Sequence, residues 1–257
     1  MENVLIKNFS SKKVNRDDGT EISCDPVAVE RSYNLLINGT RIASLMASPS
    51  DLREMGYGYL LAEGFVKEED QIIEVKVRGD EIHLFIEGSE KIENLLELRS
   101  SACIGAYWDQ QEEKISVESD LTVDQSTIFR ALHHLKSQTY DKTSGSHSAS
   151  LVDEDGTLLL KTEDIGRHNT YDKIIGRALI EGIGLSRKIL LSTGRQSAGM
   201  IMKAARNGIP IVVTKAAPLS SGVKAARETD ITLICFADDK KIKIFTGTER
   251  IKTKKNC

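Results

Sequence analysis

Short alternating stretches fill the first half of the chain, and helix-period stretches alternate with apolar runs in the second. Ala28 to Ile37 and Thr40 to Ala47 flank Asn38-Gly39. Asn-Gly accepts the positive φ of a type I′ turn, so this pattern predicts a hairpin. Ser48-Pro49-Ser50-Asp51 reads as a helix start, with Ser48 as cap, Pro49 at the first helical position and Asp51 at the capping-box position. The helix runs from about Pro49 to Glu63 and stops at Gly64. Ile72 to Arg78 and Glu81 to Glu87 flank Gly79-Asp80 as a second hairpin, and Ile115 to Glu118 is a further short strand.

The second half changes rhythm. Thr122 caps a helix over Val123 to Ser137, with Ile128, Leu132 and Leu135 on one face. Strands follow at His147 to Val152 and Thr157 to Thr162. Helices at Tyr171 to Glu181, Ala198 to Asn207 and Val223 to Glu228 then alternate with strands at Lys188 to Ser192, Ile209 to Thr214 and Thr232 to Ala237. Lys241 to Phe245 closes the series as an edge strand. Such alternation predicts an α/β protein, a layered sheet with helices on its faces. A smaller β-rich α+β domain precedes it, over residues 1–120, and the second domain covers 121–257, with a soft boundary near Ser119 to Thr122.

Composition narrows the function classes. The 257 residues are 40% hydrophobic, enough for a full core in one or two domains. A net charge of −3 gives no global basic field for nucleic acid, so anion binding must be local. No run approaches the roughly 20 apolar residues of a membrane span, and the start lacks the order of a signal peptide. The expectation is a soluble cytoplasmic protein without nucleic-acid or membrane partners. Cys24, Cys103, Cys235 and Cys257 form no Cys-x-x-Cys pair. Cys235 reads as a buried small hydrophobe, Cys24 as a loop residue before Asp25-Pro26, and Cys257 is terminal.

One block concentrates chemistry. Glu163 to Lys173 places Asp164, Arg167, His168, Asn169 and Asp172 around Gly166 at a strand-to-helix turn. Alpha/beta proteins put ligand sites at such turns. Ser192 to Ser197 is a second strand-to-helix turn. Gly194 allows close backbone approach, Ser197 is placed to cap, and Arg195 offers a forked donor suited to phosphate; a capped turn with an exposed Arg is the plain alternative. Thr143 to Ser148 is small and polar, with Gly145 and His147. His147 either meets a phosphate or is a satisfied structural histidine. Cys103 sits among small residues ahead of a polar stretch, either as an exposed nucleophile or as a half-buried strand-end thiol. A P-loop and a Gly-x-Ser-x-Gly elbow are absent, and Gly182-Ile183-Gly184 lacks the third glycine of a dinucleotide fingerprint.

Together these motifs resemble the FdhD family of formate dehydrogenase accessory sulfurtransferases. Gly166-Arg167-His168-Asn169 with Asp172-Lys173 is similar to its D-V-G-R-H-N-x-x-D-K signature, with Ile165 for Val. Thr143 to Ala149 is similar to T-G-G-x-H-x-A, and Gly194-Arg195 with Ser197, Met200 and Lys203 to S-G-R-x-S-x-x-M-x-x-K. Ala217-Pro218 and the helix ending in Glu63-Gly64 add to it. The resemblance implies a cytidine-deaminase-like second domain and a homodimer. It also implies a job: taking persulfide sulfur from a cysteine desulfurase and passing it to the molybdenum cofactor, bis-molybdopterin guanine dinucleotide, for formate dehydrogenase. GDP-like nucleotides are then mimics of the ligand. The implied carrier is Cys103. Gly145, His147, Asp164, Gly166, Arg167, His168, Asn169, Asp172, Gly194, Arg195 and Ser197 are the implied cofactor-binding set, with no metal ligands and no zinc deamination, since the H-x-E and P-C-x-x-C signature is missing. Arg167 and Arg195 are the phosphate forks, while Asp164 and Asp172 either meet guanine N–H groups or pin the arginines. The family usually has Cys-x-x-Cys where this chain has Cys103 with Ser100 and Ala106. One thiolate suffices to accept sulfur. The alternative is a non-catalytic carrier or chaperone for the cofactor.

Overall fold

The computed structural model describes residues 4–17, 19–88 and 115–253. Two sheets organise most of it. In the second half, β8 (His147–Val152), β9 (Leu158–Asp164), β10 (Ile189–Ser192), β11 (Ile211–Thr214), β12 (Thr232–Cys235) and β13 (Lys243–Thr246) form one sheet in the order β13-β12-β11-β10-β8-β9. β10, β11 and β12 run parallel, while β8, β9 and β13 are antiparallel to their neighbours. Every residue of β10, β11 and β12 is buried. That explains why these strands read as continuous apolar runs: both sheet faces are covered. Leu190, Val212 and Leu233 point into one core; Ile189, Leu191, Ile211, Val213 and Ile234 point into the other.

Four helices of the second half matter here. α4 (Arg167–Ile180), α5 (Ala198–Arg206) and α6 (Ser220–Glu228) contribute to the first core, and α2 (Gln125–Ala131) to the second. The chain is thus a mixed α/β protein. The first half holds a four-stranded sheet, order β4-β3-β6-β5, from β3 (Arg31–Ile37), β4 (Thr40–Ala47), β5 (Ile72–Arg78) and β6 (Glu81–Ile86). Its turn at Asn38-Gly39 takes positive φ at both residues, 46° and 88°, as the Asn-Gly chemistry requires. α1 (Leu52–Ala62) packs on this sheet through Met55, Tyr59 and Leu60.

The two halves meet where α1 crosses α4. A Cβ on Gly58 would overlap the carbonyl oxygen of Asp172, and one on Gly176 would overlap that of Glu54. Only glycine lets the two backbones approach this closely.

Several expectations need correction. Ser48 does not cap α1. The N-cap position is Asp51, in a left-handed conformation and without a side-chain cap bond, and Ser48 is recruited elsewhere. Thr122 is not a cap either. Val123–Asp124 is a short strand (β7) paired with β14 (Ile251–Lys252), and Asp124 caps α2 by accepting from Ser126 N. The long helix through Ser137 is broken into α2, a 3-10 turn at Leu132–Leu135 and α3 (Gln138–Thr143). Ile115 to Glu118 is not a strand. α4 begins at Arg167, four residues earlier than the pattern suggested, because polar side chains hold its first turn.

An antiparallel hairpin of β1 (Ile6–Asn15) and β2 (Gly19–Ala28), outside both sheets, escaped the pattern. Most of its side chains are solvent-exposed on both faces, so no apolar alternation marks it. Cys24 lies on β2 and not in a loop. Among the described residues, no helix is long and apolar enough to cross a membrane.

Candidate functional site

β8 starts, and β9, β10, β11 and β12 end, on one edge of the large sheet. The segments that leave this edge carry most of the chemistry picked out in the sequence. The turn after β9 is built around Asp164. Its carboxylate accepts from Ser48 N at 3.0 Å, Gly166 N at 2.7 Å and Asn169 Nδ2 at 2.8 Å, and pairs with Lys173 Nζ at 2.6 Å. Lys173 also donates to Ser48 O, Asn169 to Met46 O, and Ile165 N to Ser48 Oγ. Asp164 and Lys173 are both 0% exposed, so this is a dry, fully committed cluster. Gly166 is required there, since a Cβ would sit 2.8 Å from Asn169 Nδ2.

Asp172, one turn further along α4, is buried against Lys203 Nζ at 2.5 Å. Lys203 also reaches Glu63 at 2.7 Å, and its ammonium lies 5.6 Å from the Tyr59 ring centroid. Burial pulls the Lys203 ammonium down, but Asp172 and Glu63 outweigh it and hold it above its ordinary value. Asp164 and Asp172 therefore do not pin Arg167 or Arg195; each is paired with a lysine. Asn169, 7% exposed, is likewise spent on the turn. These side chains build the platform on which Arg167 stands.

Arg167 leaves the platform towards the second turn. A Cβ on Gly194 would lie 2.7 Å from Arg167 Cβ, so that glycine is the floor under the arginine. The Gly194 turn is rigidly held: its N donates to Ser192 Oγ, and its carbonyl accepts from Thr214 Oγ1 and Gln196 Nε2. Tyr171 OH donates to Gln196 Oε1 in turn. His147, at the start of β8, lies 3.2 Å from Thr193 Oγ1 through Nδ1. Burial, then Arg167 and Arg195, lower its pKa. Arg167 itself is lowered by burial and by Arg195. Arg167 and Arg195 thus form a cationic pair, with Arg195 the exposed member, and His147 beside them is pushed towards the neutral imidazole.

Two buried side-chain atoms among the described residues have no hydrogen-bond partner: Arg167 Nε and Ser146 Oγ. Both belong to segments on this edge. An orphaned buried donor costs about 1–3 kcal/mol and is rare unless a ligand or water meets it. A buried guanidinium donor without an acceptor, beside a second arginine, fits an anion such as phosphate.

A third loop extends the same edge. Phe236, just after β12, has φ 51°, rare for an aromatic residue, and is 38% exposed. Its N donates to Ala216 O, and Lys215 N in turn donates to Ser192 O. Lys215, Lys241 and Lys243 line the cleft beside it, with Lys243 Nζ 5.1 Å from the ring centroid.

The remaining expected residues are placed as follows. Gly145 follows Ser144, whose φ is 53°, and its N donates to Thr143 Oγ1. Ser197 holds the N-cap position of α5 but makes no side-chain cap bond. His168 packs near Gly199; burial, then Lys203 and Arg167, push its pKa down to about 4, so it is a neutral imidazole at pH 7. Cys235 is 0% exposed and its thiol is pushed up to about 12 by burial, which makes it inert. Cys24 is exposed on the hairpin. Cys103 and Cys257 lie outside the described residues. Reading by motif passed over Ser48, Ser146, Thr193, Gln196 and Phe236 as site residues. Ser146, Thr193 and Gln196 lie within two segments already picked out but carry no charge to flag them, and only the fold brings Ser48 and Phe236 to this edge.

The parallel strands of this α/β protein thus end in a rim rich in hydrogen-bond donors, the edge where α/β folds place ligand sites. Comparison with known proteins makes the class specific. The FdhD/NarQ family model matches residues 28–252, and the chain belongs to that family. The sulfur carrier protein FdhD of Shouchella clausii is 32% identical over 244 residues, covering 90% of this chain and 91% of that one. The sulfur carrier protein FdhD of Methanothermobacter thermautotrophicus is 33% identical over 238 residues, covering 91% and 95%. A solved structure from Desulfotalea psychrophila, assigned as a formate dehydrogenase accessory protein, superposes with a TM-score of 0.80 at 27% identity, covering 96% of this chain and 100% of that one.

Proposed function

We propose that this protein is a cytoplasmic sulfur carrier that hands persulfide sulfur to a molybdenum cofactor, bis-molybdopterin guanine dinucleotide, during maturation of formate dehydrogenase. The observation that carries the ligand half of this reading is the orphaned Arg167 Nε, which stands beside Arg195, with a second orphaned atom, Ser146 Oγ, on the segment that leads into β8. Phosphate oxygens supply the acceptors that these donors lack. Phe236, beside three lysines and two strands along from Gly194, offers a face for the base at the other end of a nucleotide. The residues therefore fit a guanine dinucleotide as cargo. The reading includes a cytidine-deaminase-like layering of the second domain.

Sulfur enters through Cys103. Its thiolate attacks the outer sulfur of the persulfide on a cysteine desulfurase. A new S–S bond forms on Cys103, the donor's S–S bond breaks, and the donor cysteine leaves as thiolate. No external oxidant is consumed. The neighbouring residues Ser100 and Ala106 leave no second thiol to resolve the persulfide, and this favours, as a second reading, a cofactor carrier that does not move sulfur.

Intact mass after incubation with an active cysteine desulfurase and cysteine separates the two. The first reading expects an adduct of about 32 Da on wild type and none on Cys103→Ala. No adduct on either protein selects the carrier. An adduct on both transfers the role to another cysteine. Independently, Arg167→Ala is expected to weaken GDP binding by about 1.5–3 kcal/mol, as measured by calorimetry.

A further inference from the structure

His147 opens β8, directly across from Asp164 on β9. Among the described residues, four polar side chains act on its ring: Asp164, Thr193 and Arg195 from the turn after β10, and Arg167 from α4. Asp164 is the only carboxylate of the four, and it is spent on Lys173, Ser48, Gly166 and Asn169. The half-buried imidazole thus has two guanidinium neighbours and no counter-charge of its own. Burial, then the arginines, oppose its protonated form. Its hydrogen bond nevertheless serves both charge states. Thr193 Oγ1 lies 3.2 Å from His147 Nδ1, accepts from Ser148 N at 3.0 Å and lies 3.4 Å from Ser148 O. A hydroxyl has one hydrogen and two lone pairs. Beside a neutral ring, that hydrogen points at a bare Nδ1. Beside a protonated ring, Nδ1–H donates to Thr193 Oγ1 and the hydroxyl hydrogen turns to Ser148 O. Neither state leaves a donor of this trio without an acceptor.

We propose that His147 takes up a proton from solvent as an anion seats on Arg167 and Arg195, and returns it when the anion leaves. This rests on the nucleotide reading of the same edge given above. The anion offsets the two positive charges that oppose protonation, and it supplies the counter-charge that Asp164 withholds. An opposite charge within about 4–6 Å raises a histidine pKa by about 1–3. His168 does not share the role, because burial and Lys203 oppose its protonation whether or not the anion is present. The bound imidazole then has the higher pKa. Affinity therefore rises as pH falls through the interval between the bound and free values, and it levels off on either side. The cargo is gripped more tightly in mild acid and released more easily in mild base.

Calorimetry of the full chain in buffers of unlike ionisation enthalpy counts the protons taken up on binding. The probe is a guanosine diphosphate sugar. Its pyrophosphate diester keeps one charge state, whereas the terminal phosphate of GDP itself titrates near about pH 6. Wild type takes up about half a proton or more near pH 6, and binds at least about threefold more tightly at about pH 5.5 than at about pH 8. His147→Gln keeps a donor and an acceptor but cannot titrate, so it binds without proton uptake and without the gain in acid. Imidazole NMR on wild type needs no variant: the His147 pKa rises by about one or more when the sugar nucleotide is added. Binding without proton uptake, uptake that persists in His147→Gln, or a His147 pKa that does not rise overturns the proposal and leaves the nucleotide reading standing. No binding at any pH overturns both.

Discussion

Asp164→Asn is the sharpest perturbation of the platform beneath the site. The substitution keeps the side-chain shape and one acceptor oxygen, which can still serve Gly166 N and Asn169 Nδ2. The other oxygen becomes an amide NH2 facing Ser48 N–H, 3.0 Å away, and Lys173 Nζ, 2.6 Å away. One charge-assisted hydrogen bond worth about 1.5–3 kcal/mol is lost. The Lys173 ammonium, 0% exposed, is left without a counter-charge. Breaking a buried pair by removing one partner costs about 3–5 kcal/mol, and the two losses overlap, so we expect 3–5 kcal/mol in all. That is about a fifth or more of the stability of an ordinary domain. Urea unfolding followed by circular dichroism measures it. The double variant Asp164→Asn/Lys173→Met removes the stranded charge and is expected to recover at least about 1–2 kcal/mol, a coupling that a double-mutant cycle reads directly. Because Asp164 also fixes Gly166 and hence Arg167, GDP affinity falls in the single variant under conditions where it remains folded. A destabilisation below about 1 kcal/mol, or no recovery in the double variant, would refute the view that this pair is dry and coupled.

Other consequences can be checked beside it. Gly58→Ala forces α1 away from the Asp172 carbonyl and is expected to cost about 2–4 kcal/mol, with Gly176→Ala similar; a thermal melt within a degree or two of wild type would contradict the close crossing. His168 has a folded pKa of about 4 against an ordinary 6.5, so the unfolded chain binds its proton first as pH falls. Stability is therefore full above about pH 6.5 and is lost progressively towards pH 4, by at most about 3 kcal/mol, and His168→Gln should flatten that slope in urea titrations. Lys203→Met strands the buried Asp172 carboxylate, which protonates more readily as pH falls, so this variant should be less destabilised at pH 5 than at pH 7. Equal destabilisation at both pH values would mean that water reaches the pair.

Much of the fold follows from local chemistry. Asn38-Gly39 dictates its turn because few other residues accept two successive positive φ values. The parallel strands announced themselves as apolar runs because both their faces are covered. The hairpin before Ala28 did not, since its solvated faces carry no alternation. Ser48 read as a helix cap because Ser-Pro-Ser-Asp satisfies local rules; Asp164, 116 residues away, outcompetes those rules by accepting from its backbone.

The same division holds for the site. Sequence alone placed Gly166–Asn169, Gly194-Arg195 and His147 as its chemistry, because glycines and charged groups at strand ends are costly unless used. It could not tell which charges face a ligand and which face each other. Tertiary packing decided that: Lys173 and Lys203 arrive from helix positions to neutralise Asp164 and Asp172, leaving Arg167 Nε and Ser146 Oγ as the buried side-chain atoms without partners among the described residues. Satisfaction of a buried group is a property of distance through space. It depends on side chains brought together from α1, α4 and α5, which no local pattern along the chain encodes.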